Sequence, residues 1–207
     1  FSVNLGTPEP NAVKVGTGTG TVTIVDNDSA TAPTLSTPPS VLQGATAVTL
    51  TGAAGEGATV QLYGVPAAGG AAVLLATTTA GTTGAYSITY TVRAGYNLYT
   101  RANGLTSPTR VVRVQQQPTL TGRSATKGTV TLTATGNPGT AGQTVSIQRR
   151  IGTTWSTVAT GQLLSNGTYT VTLRGLISRG VYPFRVSIPS SPSVVGNVSP
   201  EVRFTIL

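Results

Sequence analysis

Gly84-Ala85-Tyr86-Ser87-Ile88-Thr89-Tyr90-Thr91-Val92 alternates large apolar or aromatic residues with small ones. In an extended chain successive side chains point to opposite faces. Tyr86, Ile88, Tyr90 and Val92 therefore share one face, and the hydroxyl residues share the other. This is the pattern of a strand with one buried side, opened by a turn glycine. The same pattern returns at Gly167-Thr168-Tyr169-Thr170-Val171-Thr172-Leu173. Working outward, Val48–Thr51 answers to Val130–Thr133, Gly57–Leu62 to Gly142–Ile147, and Gly95–Leu98 to Gly180–Phe184. Thr109–Val114 and Val202–Ile206 close the two copies, and the preceding pairs keep offsets of 82 to 86 residues. A repeat of that length is of domain size, and about seven short strands per copy predict a two-sheet sandwich.

The class is all-β. Thr, Gly, Ala, Val and Ser dominate the 207 residues, charged residues make up only 9%, and no helical apolar period is sustained. In the next strand Tyr96 and Leu98 correspond to Tyr182, Phe184, Val186 and Ile188, each set expected to face the core of its own copy. Tyr96 and Tyr182 stand where a sandwich places a corner tyrosine, whose hydroxyl reaches backbone.

Charge is distributed unevenly. From Gly57 to Pro200 there is no aspartate or glutamate but eleven lysines and arginines, whereas residues 1–56 hold Glu9, Asp26, Asp28 and Glu56 against Lys14. The absence of cysteine, histidine and methionine removes disulfides, thiolate and imidazole metal sites, and the usual general base. Paired-carboxylate hydrolysis lacks acids, and Gly16–Gly20 leads into a strand, without a P-loop ending. The chain reads as non-enzymatic. No run of about 18 apolar residues offers a membrane span. Few carboxylates are available for protonation, so residues 33–207 are expected to stay folded well below pH 4.

Both copies resemble the immunoglobulin-like modules of bacterial secreted and surface proteins. In the second copy the resemblance is carried by Gly142–Arg150, Trp155 and Gly167–Tyr169. It implies spacers, stalks and binding appendages, with no catalytic residues. Phe1–Leu5, Asn11–Val15 and Gly16–Asp28 resemble the closing strands of a Calx-beta domain. The expected organisation is therefore 1–29, the C-terminal part of a Calx-beta-like domain, then sandwiches over 33–115 and 117–207. The chain is read as a piece of a longer polypeptide, because a few strands bury no core alone. The junctions Asp28–Pro33 and Gln115–Pro118 are short and end in proline, which predicts a stiff rod.

Two candidate sites follow. Asp26, Asp28 and Glu56 would converge at the first junction, beside the Asn103 loop, where carboxylates would hold Ca2+. The Calx-beta resemblance also implies Ca2+ at such terminal acids. No cofactor is otherwise required. Trp155 with Arg149 and Arg150, in a predicted hairpin, would stack on a sugar or attract an anionic envelope polymer. Nucleic acid is not the expected partner, because the aromatics fall mostly at inward positions and leave no stacking platform. The predicted role is an extracellular, cell-surface stalk or filament part, self-associating through residues 1–28. The alternative is an accessory carbohydrate- or envelope-binding module of a secreted enzyme.

Overall fold

The computed structural model describes residues 31–176 and 180–206. Sixteen strands run in the order β1 (Val41–Gln43), β2 (Thr46–Ala53), β3 (Thr59–Pro66), β4 (Val73–Thr79), β5 (Ala85–Val92), β6 (Tyr96–Ala102), β7 (Leu105–Thr106) and β8 (Arg110–Gln115), then β9 (Thr119–Arg123), β10 (Val130–Thr135), β11 (Thr144–Ile151), β12 (Thr154–Gln162), β13 (Thr168–Leu173), β14 (Val181–Ile188), β15 (Asn197–Val198) and β16 (Val202–Thr205). No helix occurs among them, so the fold is all-β. One sheet has the order β1-β8-β6-β3-β4, with β7 also on β6, and it faces the pair β2-β5. The second copy repeats the plan with β12-β11-β14-β15, β16 also on β14, facing β13-β10-β9.

Each facing pair encloses its own core. Leu50, Val60, Leu62, Ile88, Val92 and Leu98 anchor the first; Val130, Leu132, Val145, Ile147, Phe184 and Ile188 anchor the second. These are the inward positions of the sequence alternation. The outer faces of β2-β5 and β10-β13 carry threonine instead of charge. Thr49 meets Thr89 at 3.1 Å, Thr131 meets Thr172 at 3.0 Å, and Thr133 meets Thr170 at 3.0 Å. Cross-strand hydroxyl pairs of this kind stabilise a sheet and keep it wettable, which is how a surface this poor in charge is built.

Gly84 and Gly167 open β5 and β13 with φ of 76° each. At Gly84 a Cβ would also stand 2.4 Å from the Ala54 carbonyl, so both dihedral and space demand glycine.

A second repeated device breaks the last strand of each copy. The buried Ser107 hydroxyl accepts from Thr100 N at 2.9 Å and donates to Pro108 O at 3.1 Å. Ser199 does the same with Val186 N at 3.0 Å and Pro200 O at 2.9 Å. Proline has no N–H for the ladder, and the serine satisfies the donor left open opposite it.

Hydroxyl-to-backbone tyrosines also occur away from the two expected positions. Tyr86 on β5 donates to the Thr34 carbonyl and meets Thr100 Oγ1 at 3.1 Å, and Tyr169 on β13 donates to Thr160 O at 3.3 Å. Tyr96 packs beside Tyr90, and the Tyr182 ring carries the Arg149 guanidinium.

Burial pushes the Tyr86 phenol above its ordinary value of 10.0, partly offset by the Thr100 bond. Burial also raises Tyr90, helped by Tyr96 and opposed by Arg93. A raised folded-state pKa stabilises the fold below the unfolded value and loses that contribution as pH climbs through the folded one. Glu56 and Glu201 are the side-chain carboxylates among the described residues. Stability is therefore expected to hold through acid and fall above about pH 10. Melting followed by circular dichroism from pH 3 to 11 checks this; cooperative unfolding near pH 4 would contradict it.

Candidate functional site

The chain between the cores is held by more than proline. The turn after β14 reaches across to the first sandwich, where Gly95 N donates to Ser193 O at 2.7 Å and Val195 N to Val114 O at 2.8 Å. Gln116 N returns a bond to Val195 O at 2.9 Å. Val194, at 7% exposure, belongs to the first core although it follows β14 of the second copy. Gln116 is fully buried, and its Nε2 donates to Pro138 O at 2.8 Å and Gln143 Oε1 at 3.1 Å. On the other flank Asn137 accepts from Ala45 N through Oδ1 at 2.9 Å and from Gln117 N through its carbonyl at 2.8 Å. The junction that ends in Pro118 is a hydrogen-bonded joint with a hydrophobic plug.

Trp155 lies on β12 of the predicted hairpin, opposite Arg150 on β11. Its outward position depends on a bulge. Ile147 pairs with Ala159 but Gln148 pairs with Thr157, leaving Val158 as the extra residue. Ile147 is buried, so simple alternation from Ala159 would turn Trp155 inward; one additional residue reverses the parity. The same bulge recurs in the first copy, where Leu62 pairs with Ala76 and Tyr63 with Leu74, leaving Leu75 over.

On the outer face the Arg185 guanidinium stands 4.4 Å from the Trp155 ring centroid, and that of Arg150 stands 5.9 Å away. Arg185 donates to Gln148 Oε1 at 2.7 Å. Glu201 holds Arg150 at 2.9 Å and Arg203 at 2.8 Å. Arg149 does not join this group. It pairs opposite the buried Phe184, on the inner side of the sheet, with its guanidinium 4.5 Å from the Tyr182 ring. Adjacent residues of a strand face opposite ways, so Arg149 and Arg150 do not act together. Arg185 was legible as outward from the buried Phe184 and Val186 beside it. Glu201 sits outside any alternating run and carried no such signal.

Of the predicted Ca2+ ligands, Asp26 and Asp28 lie outside the described residues. Glu56 sits exposed on the turn between β2 and β3. A Cβ at neighbouring Gly55 would stand 3.2 Å from Asn103 Nδ2, so the two loops do meet. Among the described residues no three Asp, Glu, His or Cys side chains come together.

Most aromatics do lie inward, but the expectation that they leave no stacking platform fails on the first sandwich. Tyr63 and Tyr99 sit opposite one another on the outer face of β3 and β6, half-buried, with ring centroids 5.6 Å apart and planes 12° from parallel. Gln61 and Arg101 form the row above them and Val65 and Asn97 the row below. Leu74, turned outward by its bulge, extends the tyrosine row to the edge strand and is 48% exposed. The signal was present: Leu62 and Leu98 point inward, so residues one step away point out.

No protein-family model matches the sequence, and no curated protein does. Among solved structures the chain is similar to a tetra-tandem repeat from the extending region of a large adhesion protein. Identity there is 20%, with 85% of this chain and 49% of that chain covered and a TM-score of 0.44. It is also similar to the human OSCAR ligand-binding domain, with 18% identity, 84% of this chain and 98% of that chain covered, and a TM-score of 0.33. The chain thus spans about half the length of the adhesion-protein fragment.

Proposed function

We propose that the two sandwiches serve as a stiff, non-enzymatic spacer within a bacterial extracellular surface or filament protein. The observation that carries this reading is the joint, in which Val194 of the second copy completes the core of the first. A flexible tether would leave the linker exposed. Here Gln116 is buried and bonded on both its backbone and its side chain. Burying Val194 also makes the stability of the first sandwich depend on the second, which favours a fixed angle between them.

The chain contains no cysteine, so probes can be placed at will. Spin labels on Ala71→Cys and Thr153→Cys, both exposed turn positions, report the separation of the two bodies. A single narrow distance distribution is expected, broadening when Val194→Ser removes the plug. That substitution is also expected to cost the first sandwich about 1–3 kcal/mol, from lost apolar burial and a buried hydroxyl. A broad distribution in the unsubstituted chain would sink the spacer reading.

A further inference from the structure

A cleft of about 340 Å³ opens beside the tyrosine row, lined by Thr59, Gln61, Arg101, Asn103 and Gly104. That volume falls in the range of small-molecule sites, about 300–1,000 Å³. The side chains that line it combine one cation with hydroxyl and amide groups able to donate and accept. Arg101 is exposed, and the ion pairs among the described residues belong to Arg150 and Arg203 with Glu201, so Arg101 stands uncompensated. Its outward neighbours across and along the strands are Gln61, Thr106 and Tyr99.

The second copy supplies an internal control. Where Tyr63 faces Tyr99, Gln148 faces Arg185, joined by a 2.7 Å bond. Most inward residues of these strands are apolar in both copies, Thr100 and Arg149 apart, whether or not tyrosines stand outside, so the fold itself does not demand outward tyrosines. The pair is a property of this face alone.

We propose that the cleft and the tyrosine pair beside it bind a carboxylated oligosaccharide. Arg101 meets a uronate carboxylate, Gln61 and Asn103 meet ring hydroxyls, and the next sugar lays its C–H face on the free side of the Tyr63–Tyr99 stack. A guanidinium and a carboxylate form a charge-assisted, often bidentate pair, which fixes the acidic sugar in place. Aromatic rings with a polar tip suit a ligand that is apolar on one face and wet at its rim. A second copy of this chain fits the face less well, because its net charge of +8 and its own Arg101 would oppose the approach.

The test is titration of the full chain with tetragalacturonate, neutral cellotetraose and sodium polyphosphate, followed by amide chemical shifts. Tetragalacturonate is expected to shift amides of β3, β6 and the Asn103 turn. Arg101→Gln and Tyr99→Ala should each weaken it by about tenfold or more, while Thr153→Ala, on an exposed turn of the second sandwich, leaves it unchanged. Gln61→Ala is the companion variant should Tyr99→Ala lower the melting temperature, and it too should weaken binding. No shifts at millimolar tetragalacturonate, equal binding of cellotetraose, or polyphosphate binding as tightly with no dependence on Tyr99 would each overturn the proposal. Self-association abolished by Tyr99→Ala would overturn it in favour of a second copy. The spin-label distances do not enter this outcome, so failure here leaves the spacer reading standing, and the reverse also holds.

Discussion

Phe184→Ala is expected to cost the second sandwich about 3–5 kcal/mol, the usual toll for emptying a fully enclosed aromatic site. Phe184 is 0% exposed, packs against Phe204 at 6.1 Å between centroids, and lies on the strand that β11, β15 and β16 all pair with. The effect should also cross the joint. Val194 and Val195 lie on the turn that leaves β14, so loosening that strand loosens the plug in the first core. Calorimetry should show the second sandwich melting far earlier and the first shifting down by a smaller amount. If the first transition does not move at all, the coupling through Val194 is wrong.

Gly52→Ala is the second large effect, expected at about 3 kcal/mol or more in the first sandwich. Residues 34–36 run along β2 without joining it as a regular strand. Thr34 N donates to Ala53 O at 2.9 Å and Ser36 N to Thr51 O at 2.7 Å. The Thr34 and Ser36 hydroxyls accept from Ala53 N and Thr51 N, both at 2.9 Å. Between those contacts the Thr34 carbonyl crosses over Gly52 to meet the Tyr86 hydroxyl, and a Cβ at Gly52 would lie 2.0 Å from that oxygen. A backbone atom cannot swing aside as a side chain can, so the whole segment must lift. Leu35, 2% exposed, would leave the core with it. Faster hydrogen exchange at Thr51 and Ala53, with a lower urea midpoint, is the expected result. An unchanged midpoint would show that the segment contributes nothing.

Most of the candidate site was hidden for one reason. Trp155 was rightly placed in a hairpin, but which way it pointed depended on Val158 being unpaired. Alternation counts residues; a bulge changes the count without changing the composition. Arg149 and Arg150 illustrate the opposite case, since neighbours in a strand must diverge and the pair could have been separated from the pattern alone. The Tyr63–Tyr99 stack was legible as two outward residues. Their meeting required the register of β3 against β6.

The alternating aliphatic and tyrosine residues, repeated at a near-constant offset, were enough to determine strands, inward faces and two similar cores, because the period of an extended chain is set by local stereochemistry. What tertiary structure alone decided was everything dependent on a partner strand or a partner body: the bulges that face Leu74 and Trp155 outward, the serines that bridge a break in the ladder, and the valine lent by one sandwich to the other. Those contacts join residues far apart in the chain, and their geometry is chosen by how whole sheets settle together.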